Sequence, residues 1–198
     1  MACNRQPVIL SNRFADAFAY TLSLHRHQCR KVQPVPYMAH LMSVAALVLE
    51  DGGSEDEAIA ALLHDAVEDQ GGEPIRIQIR HRYGEFILAL VDACTEPQRQ
   101  PQQSWRDHKL SYLNQVQHVS APAQRIILAD KLHNLRSLLV NWQQFGNAIW
   151  SQFSGQPLDY LWFYRRLIES LNAQSQRQML VELKQNVAAL EKMVVLGN

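Results

Sequence analysis

The chain has 198 residues, and its nineteen lysines and arginines are balanced by nineteen aspartates and glutamates, so the formal charge at neutral pH is zero. That balance excludes an electrostatic grip on nucleic acid, and no apolar run is long enough to span a bilayer or to form a signal-peptide core. The three cysteines, Cys3, Cys29 and Cys94, are an odd and scattered set without disulfide or metal spacing, which points to a reducing cytoplasm.

Helical patterning dominates, and the length suits one domain with a core of its own. Phe14, Ala17, Phe18, Thr21 and Leu22 form a first stripe at three- and four-residue spacing. A basic cluster follows, His25-Arg26-His27-Gln28-Cys29-Arg30-Lys31, which is either a solvated helix end or part of an anion pocket. Met38 to Leu49 reads as a buried helix stopped by Asp51-Gly52-Gly53. Ser54 and Glu57 have the spacing of a capping box and open the next helix.

That helix carries the most informative run of the chain, Ala60-Ala61-Leu62-Leu63-His64-Asp65-Ala66-Val67-Glu68-Asp69. On one continuous helix, His64, Asp65, Glu68 and Asp69 lie about a turn apart on a shared face. Carboxylates entering an apolar segment are costly unless paired or metal-bound, so the run is a candidate metal site.

Gly71-Gly72-Glu73-Pro74 ends the run, Tyr83-Gly84 separates the following helix from one over Glu85 to Cys94, and the polar stretch from Glu96 to Gln103 reads as a loop. Ser104 with Asp107 caps a helix through Tyr112 and Leu113. Ser120-Ala121-Pro122 then opens a long helix through Asp130 to about Trp142. Leu180, Leu183, Val187, Leu190 and Val194 make a final coiled-coil-like seam, packed on the chain's own domain or, alternatively, on a second copy as a homodimer contact.

Three segments in this order carry a resemblance. They are Arg30-Lys31 followed by Pro36-Tyr37-Met38-Ala39-His40, then His64-Asp65 with Glu68-Asp69, then Ala129-Asp130-Lys131-Leu132-His133-Asn134-Leu135-Arg136. Together they resemble the HD phosphohydrolase superfamily, and within it the hydrolase domain of RelA/SpoT alarmone enzymes and the stand-alone small alarmone hydrolases of the Mesh1 type. The resemblance implies an all-α HD-domain helical bundle over residues 1–198. Its signature segments fall in about 25–140, with C-terminal helices of about 145–196 packed on them.

It also implies one divalent metal, usually manganese, with iron or zinc as alternatives that suit a mixed imidazole and carboxylate set. The ligands carried over are His40, His64, Asp65 and Asp130; any one of them alone could equally be a buried, hydrogen-bonded polar residue. Glu68 and Asp69 would orient an attacking water and take its proton. Arg30 and Lys31 would hold base and phosphate, with Asn134 and Ser137 as further nucleotide contacts. His133 reads as structural, Tyr37 as packing, and Lys131 and Arg136 as solvated or phosphate-facing.

The implied activity is removal of the 3′-diphosphate of guanosine tetra- or pentaphosphate as pyrophosphate. The alternatives are an HD phosphohydrolase acting on a nucleoside monophosphate, an adenine alarmone or NADPH, and a nucleotide sensor without catalysis. The partner is a small nucleotide, with no nucleic acid and no membrane. Three departures border the expected substrate pocket: Val32-Gln33-Pro34-Val35 in place of a glycine-rich link, Leu41 where proline is usual after the histidine, and Gln70 where threonine is common.

Overall fold

The computed structural model describes residues 7–171 and 177–196, so Cys3 lies outside the described residues. Among these residues the fold is all-α: α1 (Asn12–His25), α2 (Met38–Glu50), α3 (Glu55–Leu63), α4 (Ala66–Gln70), α5 (Glu73–Tyr83), α6 (Glu85–Cys94), α7 (Trp105–His118) and α8 (Ala121–Phe145) come first. A 3-10 helix (Gly146–Gln152), α9 (Pro157–Ser170) and α10 (Arg177–Leu196) complete the order. The only extended pairing among the described residues is an isolated bridge between Cys29 and Pro36. No helix is long and apolar enough to cross a membrane.

Helix α8 is the axis of the molecule, in contact with α2, α3, α6 and α10. Its Ile126, Ile127, Leu128, Leu132 and Leu135 are almost fully buried, and each such side chain contributes about 1.5–3 kcal/mol over an exposed one. The capping box at α3 forms as the sequence predicts, with Ser54 accepting from the Glu57 N–H and Glu57 accepting from the Ser54 N–H. Glu57 also pairs with Arg125 near the start of α8, and the same guanidinium bonds Asp51 at 3.0 Å. One cap therefore fixes both the start of α3 and its register against α8.

Two local expectations are corrected. Leu22 is 47% exposed, and Tyr20 takes the buried position on α1, with its hydroxyl donating to Gln78 Oε1 at 2.7 Å. The run from His64 to Asp69 is not one helix: α3 ends at Leu63 and α4 starts at Ala66. The His64 ring Nδ1 lies 2.7 Å from the Ala61 carbonyl, and Asp65 has φ −96° and ψ −3°. A side chain bonding a backbone carbonyl in this way competes with the helical ladder. At the C-terminal end, Leu180, Leu183, Val187, Leu190 and Val194 are all buried, and α10 packs on α8 and α9 of its own chain.

Candidate metal centre and its cleft

Two helices and a helix break deliver the four ligand-type side chains to one point. His40 comes from the first turn of α2, His64 and Asp65 from the break after α3, and Asp130 from the middle of α8. Ligand atoms of His40, His64 and Asp65 all lie within 4.8 Å of one another. Asp130 Oδ1 closes the group, at 3.2 Å from His40 Nε2 and 3.6 Å from His64 Nε2, and Asp65 Oδ2 stands 3.1 Å from His64 Nε2. Both histidines are almost fully buried, and Asp130 is 6% exposed.

The surroundings fix which ring nitrogens face inward. His64 Nδ1 donates to the Ala61 carbonyl, which leaves Nε2 toward the carboxylates. His40 Nδ1 lies 2.8 Å from His133 Nδ1. Burial first, then the His40 and Arg30 charges, push the His133 pKa down to about 4, so that ring is neutral and can accept the His40 proton. Both inward Nε2 atoms are buried without completing a hydrogen bond.

Burial opposes charge on His64, but Asp65 and Asp130 overcome it and hold the imidazole pKa well above its usual value. Burial likewise opposes charge on Asp65 and Asp130, yet His64 with His40 in one case, and Lys131 with both histidines in the other, keep them well below the carboxylate range. The two carboxylates therefore require positive charge at this point, supplied either by protons on the inward Nε2 atoms or by a cation in their place. This donor set fits a divalent cation, with imidazole and carboxylate donors of the kind that hold first-row transition ions.

Further residues orient the ligands, as outer partners do in metal sites. The Tyr37 hydroxyl donates to Asp65 Oδ2 at 2.6 Å, so Tyr37 does more than pack. Asn134 donates to Asp130 Oδ1 at 2.5 Å and accepts from the Arg30 guanidinium at 2.7 Å. Lys131 is half-buried, 2.9 Å from Asp130 Oδ2 and 3.4 Å from Glu96. Arg136 does not line the cleft and pairs with Glu182 of α10 through two 2.6 Å bonds, its side chain still partly solvated.

The centre opens into a cleft of about 430 Å³. Arg30, Lys31, Asn134 and Ser137 line one side, and Glu68 and Asp69 stand exposed at its edge. Desolvation, with Asp65 and Glu96 adding to it, raises the Glu68 pKa. The rest of the lining was not legible in the motifs. It includes Lys109, held to Glu96 at 2.6 and 2.8 Å, and Trp105, Phe153, Tyr160, Phe163 and Tyr164. Glu96, read as a loop residue, thus lies between two lysines, and its backbone N–H reaches Glu68 Oε2 at 3.4 Å. Cys94 also lines the cleft, but burial pushes its thiol pKa up and makes it a poor nucleophile.

Comparison with known proteins agrees with this geometry. A family model described as HD domain matches residues 17–157. The Xenopus tropicalis protein named guanosine-3′,5′-bis(diphosphate) 3′-pyrophosphohydrolase MESH1 is 32% identical over 126 residues, which is 62% of this chain and 68% of that protein. A structure described as a metazoan ortholog of SpoT that hydrolyzes ppGpp superposes with a TM-score of 0.73 at 24% identity, covering 92% of this chain and 97% of that one, and so shares the fold. A crystal structure of a Listeria monocytogenes EGD-e protein superposes with a TM-score of 0.66 at 30% identity, covering 77% and 99%. With two histidines and two aspartates converging from α2, the α3–α4 break and α8, the chain belongs to the HD-domain family.

Proposed function

We propose that the protein is a metal-dependent hydrolase of guanosine 3′,5′-bis(diphosphate), removing the 3′-diphosphate as pyrophosphate and leaving guanosine 5′-diphosphate, with the cytoplasm as its setting. The observation that carries this reading is the pair of unpartnered Nε2 atoms of His40 and His64, facing Asp65 and Asp130 at the floor of a cleft with Arg30 and Lys31 on its wall. The relatives named as guanosine-3′,5′-bis(diphosphate) 3′-pyrophosphohydrolases supply the substrate. A divalent ion, manganese by family resemblance, supplies Lewis acidity and charge neutralisation when bound.

The chain's own residues do the rest. Glu68 and Asp69 orient the attacking water and take its proton. The Arg30 guanidinium offers a flat face to a purine, and the Lys31 ammonium neutralises phosphate. Asn134 and Ser137 contact the nucleoside.

The test is release of pyrophosphate from guanosine tetraphosphate with manganese and after chelation, run beside release of inorganic phosphate from nucleoside monophosphates. Metal-dependent pyrophosphate release is the expected result. Metal-dependent cleavage of a different phosphate ester alone would keep the HD chemistry and overturn the alarmone substrate. Tight nucleotide binding without turnover would identify a sensor.

A further inference from the structure

The catalytic carboxylate Asp69 is exposed, and an exposed aspartate is free to turn. It is held by a set of residues that the function above leaves unused. Gln28 Nε2 donates to Asp69 Oδ2 at 2.7 Å. The Gln28 side-chain carbonyl lies 2.7 Å from His25 Nδ1 and accepts from Gln70 Nε2 at 2.6 Å.

Gln70 Nε2 also lies 3.3 Å from His25 Nδ1, so the polarity of the set is fixed from its Asp69 end. A carboxylate only accepts, so the Gln28 amide must turn its NH₂ to Asp69 and its oxygen away. That oxygen has two lone pairs, and two donors meet it. His25 is 2% exposed, and burial lowers its pKa, so it is neutral with its proton on Nδ1. Reversing the amide would set its oxygen against a carboxylate oxygen and its NH₂ against the Gln70 NH₂.

The backbone at Gln28 is fixed as well. Its N–H donates to the His25 carbonyl at 3.0 Å and its carbonyl accepts from the Tyr37 N–H at 2.9 Å, at the neck of the loop that carries Arg30. Tyr37 stacks on His25 with ring centres 5.5 Å apart and holds Asp65 through its hydroxyl. One neck therefore braces a metal ligand through Tyr37 and a catalytic carboxylate through Gln28. Gln70, which departs from the threonine common in the family, takes part in this bracing.

We propose that Gln28, seated by His25 and Gln70, is a positioning residue that fixes the Asp69 carboxylate by one oxygen and leaves the other to receive the proton of the attacking water. This rests on the reading of Asp69 given above. It also divides the cluster from His25 to Lys31 between bracing residues, His25 and Gln28, and nucleotide-facing ones, Arg30 and Lys31.

Gln28→Glu is the sharp variant: it keeps an acceptor for His25 and Gln70 but replaces the donor to Asp69 with a second carboxylate. Manganese content and melting temperature should stay near wild type, turnover number should fall about tenfold or more, and the Michaelis constant should stay within about twofold. In an Asp69→Asn background the same change should cost less than about a further twofold, because residues acting through one group are non-additive. An unchanged turnover number in Gln28→Glu, or an equal loss in both backgrounds, would overturn the proposal while leaving the hydrolase reading intact.

An arm free of activity uses crystal structures of the manganese-loaded wild type and Gln28→Glu. Asp69 should sit on Gln28 in the first and turn away in the second; the same Asp69 rotamer in both would overturn the proposal. If the wild type releases no pyrophosphate from guanosine tetraphosphate, the substrate assignment falls, and this comparison still decides for or against Gln28.

Discussion

Glu68 and Asp69 are exposed carboxylates at the edge of a candidate centre whose His40, His64 and Asp130 are buried and whose Asp65 is half-buried, and this difference in burial separates their expected roles. Neither supports the core, so Glu68→Gln and Asp69→Asn should fold and bind manganese like wild type while turnover falls about tenfold or more, the least expected from losing general-base help. Hydrolysis rate and metal content measured on the same samples check this; full activity in both variants would place the base elsewhere. His133 reads as structural in the sequence, and the structure sets it against His40 at 2.8 Å. Because it selects the ring nitrogen that His40 turns inward, His133→Ala should weaken manganese binding by about 10–100-fold, as loss of an outer partner does. A competition titration with a metal indicator measures it. Arg30 bonds Asn134 and flanks the cleft, so Arg30→Ala should raise the Michaelis constant with a smaller change in turnover number, the signature of lost uniform binding.

The helices that deliver the ligands depend on short connections, and one of these is unusually tight. Gly53 donates its N–H to the Val48 carbonyl at 2.8 Å where α2 turns into α3. A methyl group on Gly53 would stand 2.5 Å from Val48 Cγ1 and 2.8 Å from the Val48 carbonyl oxygen, and the latter is backbone that cannot swing aside. Gly53→Ala should therefore cost about 1–3 kcal/mol, in the range of overpacked sites, and should shift α2 against α3, which carry His40 and lead to His64. Urea unfolding gives the first quantity and manganese affinity reports the second; a variant as stable as wild type would show that the turn yields freely. The same elements show where local reading stopped. The capping box, the Pro122 helix start and the α10 seam follow from residues at most four positions apart, and all are present. The break at His64 was missed because apolar periodicity continues through it, while the ring's bond to the Ala61 carbonyl competes with the helical ladder.

In the whole molecule, the candidate metal centre joins α2, the α3–α4 break and α8, so a cation bound there should cross-link the core. Manganese at about a hundredfold excess over its Kd should stabilise the fold by about 2.7 kcal/mol through mass action. Chelation should lower the melting temperature of the wild type and leave that of Asp130→Asn unchanged; equal sensitivity of the two would place the metal elsewhere. By itself the sequence determined the helical class, most helix limits and the identity of the ligand-type residues, since these depend on periodicity, caps and a compact motif. Only the tertiary structure decided what stands around them. The Arg30 to Asn134 bond joins residues 104 positions apart. Gln28 meets Asp69 across 41 positions, and the wall of Lys109, Tyr160 and Tyr164 comes from α7 and α9, where no motif marks it. Neighbours along the chain fix a helix, but a cleft is made wherever distant helices bury their faces together, and that pairing of faces is not written in local spacing.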